Sequence, residues 1–141
     1  MANKVIPCPS CETKNRVPAE ASGTPRCAKC QAPLPWIADA WDTNFDRIAD
    51  STKVAVLVDL WAPWCGPCRQ VSPLLERLAA ERAGKLKLVK VNVDDAPETQ
   101  ARFGVQAIPT LLLFVDGKQV GEQRGAVPLP ALRAWVDSAT G

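Results

Sequence analysis

The most informative absence in this sequence is histidine, which does not occur in its 141 residues. Without imidazole the chain has no Cys-His or Ser-His catalytic pair and no metal site with a histidine ligand. An excess of one charge is also missing, because 17 Lys and Arg stand against 15 Asp and Glu, a formal charge of +2. So small an excess gives no reason to expect strong nonspecific attraction to nucleic acid or to an anionic membrane.

Long hydrophobic runs are missing as well. The longest stretch without a charged residue covers residues 103–115, only 13 residues, whereas a membrane-spanning helix needs about 20 apolar residues. The N-terminus has no apolar core of the length that a secretory signal requires. We therefore expect no membrane partner and a cytoplasmic, thiol-reducing location. There, cysteines are more typical of metal binding or catalysis than of structural disulfides.

The six cysteines form three Cys-x-x-Cys pairs, and two of these pairs lie in a segment of unusual composition. Residues 1–35 hold six of the 13 prolines, and their five Lys and Arg against two Asp and Glu give a charge of +3. So short a segment, with few large aliphatic side chains, cannot form a sufficient hydrophobic core and needs a metal ion or disulfide bonds to stabilise its fold. We predict a small domain and linker over 1–35, with the Pro-rich stretch Gln31–Pro35 as the linker, and a larger domain over 36–141.

The two N-terminal pairs have the spacing of a four-cysteine zinc ribbon, with Cys8 and Cys11 separated by fifteen residues from Cys27 and Cys30. Four thiolates make a closed site, so one structural zinc ion is predicted. Binding free energies of about 10–16 kcal/mol in zinc-finger peptides suffice to fold so short a segment. Two disulfides and a nucleic-acid-binding ribbon are the alternatives.

From residue 36 onward, strand and helix patterns alternate. Val54–Trp61 is apolar almost throughout, as in a strand buried on both faces, and Gly66–Arg82 is predicted to be a long helix. Further elements are two strands over Trp36–Ala40 and Leu86–Val93, short helices capped by Asp42 or Thr43 and opened by Asp95, a hairpin turning at Asp116-Gly117, and a closing helix containing Leu132. This order predicts an α/β fold with a mixed central sheet and helices on both faces.

The third cysteine pair, Cys65 and Cys68, lies where the buried strand gives way to the long helix. Free N–H groups and the macrodipole at a helix N-terminus favour an anion, so we expect Cys65 to be a reactive thiolate. Cys68 lies on the same helical face, about 5–6 Å away at Cβ, which suits a disulfide. Pro67 fits the first turn, where its missing N–H needs no partner. A metal knuckle and an incidental buried pair are the alternatives.

Asp59 is a carboxylate within the apolar strand that precedes this helix. Burial raises the pKa of a carboxyl group, which makes Asp59 a candidate proton acceptor near neutral pH. The alternative is a structural, hydrogen-bonded aspartate.

The segment WAPWCGPC at Trp61–Cys68, with VLVD before it and Ile108-Pro109-Thr110 after it, resembles the thioredoxin family over about residues 36–141. The four-cysteine segment, NRVP at 15–18 and GAVP at 125–128 resemble the zinc-containing thioredoxin 2 type. The resemblance implies a thioredoxin fold preceded by a zinc ribbon. It also implies a protein-disulfide reductase and electron carrier, in which Cys65 attacks a substrate disulfide and Cys68 resolves the mixed disulfide.

The resemblance implies roles for further residues. Asp59 would help to deprotonate Cys68, Lys90 would approach Asp59, and Pro109 would be a cis proline beside the sulfurs. A substrate-binding rim would comprise Trp61, Trp64, Gly66, Pro67, Ile108, Gly125 and Ala126.

The implied partners are protein disulfides and an NADPH-dependent thioredoxin reductase. No bound organic cofactor is expected, because the chain has no nucleotide-binding fingerprint, and a monomer is expected. Two other classes of function stay open. In one, the ribbon is a binding module for nucleic acid or a protein. In the other, zinc thiolates act as a redox sensor that releases metal and alters the reductase.

Overall fold

The computed structural model describes residues 4–20, 23–50 and 53–140, so the outer limits of both predicted domains lie outside the described residues. Its helices and strands follow the predicted order from residue 36 onward. The elements are β1 (Lys4–Pro7), β2 (Lys14–Val17), β3 (Trp36–Ala40), α1 (Phe45–Asp50), β4 (Ala55–Trp61), α2 (Gly66–Glu81), β5 (Leu86–Asn92), α3 (Pro97–Arg102), β6 (Thr110–Val115), β7 (Lys118–Arg124) and α4 (Leu129–Thr140).

In the described part of the chain, five strands form one mixed sheet in the order β3-β5-β4-β6-β7. β3 and β4 run parallel to β5, whereas β6 is antiparallel to both β4 and β7. Strand β4 lies at the centre, and its residues 55–60 are all buried. This burial on both faces explains why its sequence does not alternate between apolar and polar residues.

Helices cover both faces of the sheet, as predicted. One core places Phe45 and Ile48 of α1 against even-numbered residues of β4, such as Val58. The other places the α2 residues Val71 and Leu75 against odd-numbered β4 residues, such as Leu57. Successive strand residues point to opposite faces, so Asp59 faces α2 together with Leu57. Within the described ranges, no helix combines the length and apolarity that crossing a membrane requires.

Short helix α3 receives its N-terminal cap from a distant residue. Asp42 was one of two residues, with Thr43, predicted to cap α1, but its carboxylate accepts hydrogen bonds from the N–H groups of Glu98 and Thr99, at 3.1 and 2.7 Å. The hydroxyl of Thr99 also donates to Asp42. Since Ala96 at the N-cap position of α3 has no capping side chain, Asp42 satisfies donors that would otherwise lack a partner.

The N-terminal segment packs on the larger domain through a small core of its own. Strands β1 and β2 pair antiparallel. This two-stranded sheet was not predicted, because each strand has only four residues and so gives little sequence pattern. Leu34, within the predicted linker, is buried in this core beside Trp36, the first residue of β3. The Trp36 indole N–H donates to the Pro18 carbonyl at 2.9 Å. Trp36 therefore belongs to the central sheet through its backbone and to the core of the N-terminal segment through its side chain.

Lys87 ties the N-terminal segment to the sheet. Its side chain is fully buried, and its ammonium donates to the carbonyls of Ala19 and, at 2.6 Å, Ile48. The ammonium also lies 4.3 Å from the ring centre of Trp36. Burial lowers the pKa of Lys87 to about 8, and the Glu20 carboxylate opposes this shift. One cation thus joins three parts of the chain.

Replacing Lys87 with methionine should lower the free energy of unfolding by about 2–3 kcal/mol, because both charge-assisted hydrogen bonds are lost. Urea unfolding at pH 7 measures this difference. Lys85→Met, at an exposed position two residues earlier, is the matched control and should change stability by less than about 0.5 kcal/mol. Equal stabilities of the two variants would contradict the role given to Lys87.

Candidate active site and metal centre

The junction of β4 and α2 places Cys65 at the N-cap of the helix, with φ −90° and ψ 112°. The sulfurs of Cys65 and Cys68 lie at bonding distance, and their Cα atoms are 5.3 Å apart. The Cys65 sulfur also accepts a hydrogen bond from the Cys68 N–H at 3.2 Å. Pro67 occupies the first turn, so its missing N–H costs no helical bond. The predicted helix-capping pair is present.

Both residues of the cysteine pair are buried in the core that α1 and the even-numbered residues of β4 form. Cys65 is 4% exposed and Cys68 is 2% exposed. The loop before them is fixed by the Arg69 guanidinium, which donates to the Pro63 carbonyl at 2.8 Å.

A proline loop approaches the sulfurs from the sheet side. The Ile108–Pro109 peptide bond is cis, as the resemblance implied. The Cys65 sulfur lies 3.7 Å from the Ile108 carbonyl oxygen. Gly125 adopts a positive φ of 82°, and its N–H donates to the Pro109 carbonyl at 2.8 Å. The loops that contain Ile108 and Gly125 are thus held together beside the cysteine pair.

The residues predicted to form a rim differ in their exposure. Trp64, Gly66, Pro67 and Ala126 are exposed, whereas Trp61, Ile108 and Gly125 are half-buried. Trp64 is 68% exposed, and its indole N–H donates to the carboxylate of Asp94 at 3.0 and 3.3 Å. Asp94 was not predicted, because nothing in the local sequence links it to Trp64. Beside Ala126, a recess of about 230 Å³ is lined by Gln70, Val71, Leu74, Val127 and Pro128.

Asp59 is a fully buried carboxylate on the sheet face that α2 covers. Among the described residues, neither of its side-chain oxygens has a hydrogen-bond partner. Burial raises the pKa of Asp59 to about 7; the Lys90 ammonium lowers it and the Glu76 carboxylate raises it further. A group that titrates near neutral pH is suited to proton transfer.

Lys90 lies directly opposite Asp59 in the parallel pairing of β4 and β5. Its ammonium nevertheless donates to the Ser72 hydroxyl at 2.7 Å and contacts the Glu76 carboxylate at 3.4 Å. It also lies 5.4 Å from the ring centre of Trp61. Sequence reasoning missed Ser72 and Glu76, although their spacing of four and eight residues from Cys68 places all three on one face of α2.

The four N-terminal cysteines form a second cluster of sulfurs. All four sulfur atoms, from Cys8, Cys11, Cys27 and Cys30, lie within 4.8 Å of one another. The Cys8–Cys30 and Cys11–Cys27 sulfur pairs are 3.5 and 3.6 Å apart. These distances are far longer than a disulfide bond. They are close to the separation of about 3.8 Å that a tetrahedral zinc centre with four thiolates requires. The residues fit one zinc ion.

Two turns of matching geometry present these sulfurs. Cys8 and Cys27 each accept, at the carbonyl, an N–H bond from the residue four positions on, which is Glu12 or Gln31. Glu12 and Gln31 adopt positive φ angles of 64° and 68°, a conformation that costs a non-glycine residue about 1–2 kcal/mol. Asn15 links the two turns. Its side-chain amide donates to the Cys27 sulfur at 3.5 Å and to the Thr13 carbonyl at 2.9 Å, and its side-chain oxygen accepts the Ala28 N–H. The Thr13 carbonyl also accepts the Cys8 N–H.

Comparison with known proteins agrees with this geometry. The family model for thioredoxin matches residues 36–138. The thioredoxin of Haemophilus influenzae is 47% identical over 96 residues, which cover 68% of this chain and 90% of that protein. Thioredoxin 1 of Nostoc sp. is 44% identical over 95 residues, 67% of this chain and 89% of that protein. The chloroplastic M-type thioredoxin of Pisum sativum is 43% identical over 96 residues, 68% and 56% of the respective chains.

This chain belongs to the thioredoxin family. The α/β architecture is therefore the thioredoxin fold, and the helix-capping cysteine pair makes the protein a protein-disulfide oxidoreductase. The residues matched by the family model begin at residue 36 and do not include the four clustered cysteines. That cluster has to be interpreted from its own geometry.

Replacing Asp59 with asparagine should stabilise the oxidised protein increasingly as the pH rises from about 4 to 7. The carboxyl ionises at its ordinary pKa of 3.8 in the unfolded chain and near 7 in the folded one. Between these values the folded protein binds more protons, so the wild-type free energy of unfolding falls with rising pH. Over this pH range, the free energy of unfolding of the variant should rise relative to that of wild type by on the order of 3–4 kcal/mol.

Denaturant unfolding at several pH values measures this difference, with Asp116→Asn at an exposed turn as the control. The control should show no growing difference from wild type. A pH-independent difference for Asp59→Asn would contradict the raised pKa of Asp59.

Proposed function

We propose that this protein reduces protein disulfides by dithiol–disulfide exchange, with Cys65 as the nucleophile and Cys68 as the resolving thiol. One observation carries the proposal: the Cys65 sulfur caps α2 and accepts the Cys68 N–H. Such a hydrogen bond and the helix macrodipole both favour a thiolate over a thiol. The cysteine that attacks is thereby activated without a histidine.

In the first step, the Cys65 thiolate attacks one sulfur of a substrate cystine. A bond forms between that sulfur and Cys65, the substrate disulfide breaks, and its other sulfur leaves as a thiolate that takes a proton from solvent. In the second step, the Cys68 thiol gives its proton to Asp59 and attacks the Cys65 sulfur. The mixed disulfide then breaks and releases the second substrate thiolate. Two electrons have passed to the substrate, and Cys65 and Cys68 are joined.

Substrate recognition is proposed to combine backbone pairing with apolar contact. The Ile108 carbonyl lies 3.7 Å from the Cys65 sulfur, so a substrate segment extended along Ile108 brings its cystine to the reacting atom. The cis peptide bond before Pro109 turns the chain at this point. Trp61, Trp64, Gly66, Pro67, Gly125 and Ala126 complete the proposed apolar surface. Such a surface suits flexible protein substrates of varied sequence.

The oxidised protein has to regain two electrons before another turnover. We assign this step to a thioredoxin reductase that uses NADPH, the usual partner of this family. The protein is proposed to act as a monomer in the cytoplasm, and its unpaired N-terminal cysteines suit a reducing compartment.

The chain is proposed to be of the zinc-containing thioredoxin 2 type, with a zinc ribbon and linker over residues 1–35 and a thioredoxin domain over 36–141. Cys8, Cys11, Cys27 and Cys30 would hold one zinc ion, and their mutual distances support this assignment. With four thiolate ligands the ion would be structural, since no coordination position is left for a reactant. It would take no part in the exchange reaction.

Cys65→Ser should reduce insulin disulfides at the uncatalysed background rate when NADPH and thioredoxin reductase are supplied. Cys68→Ser is the matched variant: it keeps the attacking sulfur, so it should accumulate a covalent mixed disulfide that Cys65→Ser does not form. NADPH oxidation and intact-protein mass spectrometry measure the two outcomes. Turnover by Cys65→Ser at the wild-type rate would refute the proposed mechanism.

Native mass spectrometry of the protein, reduced at Cys65–Cys68 only by thioredoxin reductase and NADPH, should show one zinc ion per chain, which Cys11→Ser abolishes and Cys65→Ser retains. Thiol counting under native conditions should then find Cys65 and Cys68 free. A metal-free chain lighter by the hydrogens of two disulfides would contradict the zinc assignment and favour a disulfide-bonded segment.

A further inference from the structure

Three polar residues follow one another along a single face of α2. Cys68, Ser72 and Glu76 are spaced by four residues, so their side chains project from the same side of the helix. The Ser72 hydroxyl donates to the Glu76 carboxylate at 3.3 Å. Lys90, on the strand beneath, donates to Ser72 at 2.7 Å and contacts Glu76 at 3.4 Å. The hydroxyl and carboxylate together hold one ammonium group.

This arrangement leaves the adjacent buried carboxylate unpaired. Asp59 and Lys90 are register partners on neighbouring strands, so their side chains leave the sheet on the same face. A buried carboxylate beside an ammonium gains strongly by pairing with it. The ammonium of Lys90 is instead directed to Ser72 and Glu76 and faces the Trp61 ring. Within the described residues, the Asp59 oxygens accept no hydrogen bond.

We propose that Ser72 and Glu76 are positioning residues, which hold the Lys90 ammonium on α2 and so keep it from pairing with the Asp59 carboxylate. Asp59 then stays available to accept a proton. The functional part of this inference rests on the proposed role of Asp59 as the acceptor for the Cys68 proton. Neither Ser72 nor Glu76 needs to touch the substrate.

The other charged groups around Lys90 come from the neighbouring strand and loop. Asp39 of β3 is the register partner of Lys90 and is itself paired with Lys4 at 3.1 Å. Asp95 and Asp39 line, with Lys90 and Trp61, a recess of about 170 Å³. On the other side of Asp59, β6 presents the apolar Leu111. Lys90 and Glu76 are the charges that shift the pKa of Asp59, in opposite directions.

The decisive variant is Ser72→Ala, because it removes the shorter of the two contacts that hold the Lys90 ammonium, the 2.7 Å hydrogen bond, without changing any charge. Carbon-13 NMR of the oxidised protein follows the Asp59 carboxyl through its titration, and Asp59→Asn assigns the signal. When Lys90 is free to pair with Asp59, the pKa of Asp59 should fall by about one unit or more. In a Lys90→Met background the same serine substitution should leave the Asp59 pKa unchanged.

Glu76→Gln should lower the pKa of Asp59 further, since it removes both an anchor of Lys90 and a nearby negative charge. Glu98→Gln, at an exposed position on α3, is the control that should leave it unchanged. If Ser72→Ala does not move the pKa of Asp59, or moves it equally in the Lys90→Met background, the positioning role is overturned.

Kinetics separate this inference from the proposed function. The resolution step, measured as release of substrate from the mixed disulfide, should have an acid limb set by the pKa of Asp59. Ser72→Ala should move that limb to lower pH by the shift seen in the NMR titration. A shifted NMR pKa with an unmoved limb would overturn the proposed role of Asp59, whereas an unmoved NMR pKa would overturn the positioning role.

Discussion

The hydrogen bond from the Cys68 N–H to the Cys65 sulfur is the interaction on which the site depends. It forms because a buried strand, β4, ends four residues before Cys65 and the chain turns directly into α2. The N–H groups of the first helical turn have no helical acceptor, so they are free to bind a sulfur anion. Strand β4, the turn after it and helix α2 are all needed to direct the Cys68 N–H toward the Cys65 sulfur. The proline loop then brings a carbonyl to the other side of that sulfur.

Strand pairing determines which polar side chains can interact. Asp59 and Lys90 are far apart in sequence, but the register of β4 and β5 brings them side by side. Helix α2 then contributes Cys68 from its first turn and the lysine anchors from its second and third. The Cys65 sulfur therefore accepts its hydrogen bond from backbone, whereas the proposed proton transfer to Asp59 depends on side chains. Substitutions in the second and third turns of α2 can therefore alter proton transfer to Asp59 without altering the hydrogen bond to the Cys65 sulfur.

The sequence allowed much of the larger domain to be predicted, because β4 and α2 are long and strongly patterned. The cysteine pair and the four-cysteine spacing could be recognised because their chemistry is local. The partners of Lys87, Lys90 and Asp42 could not be predicted, since each reaches a residue that is distant along the chain. Strands β1 and β2 were not predicted, because a strand of four residues is too short to show a clear alternating pattern. The cis bond before Pro109 followed from family resemblance alone, since few X-Pro bonds are cis.

The shared tryptophan affects how this protein can be divided. Trp36 belongs to β3, yet its ring is buried in the core of the N-terminal segment and beneath the Lys87 ammonium. In a fragment that begins at residue 36, the Trp36 indole would be exposed at the edge of the sheet. The Lys87 ammonium would also lose its hydrogen bond to the Ala19 carbonyl. Large apolar side chains exposed in this way promote association between molecules. Truncation to residues 36–141 therefore exposes apolar surface that the N-terminal segment covers in the intact protein.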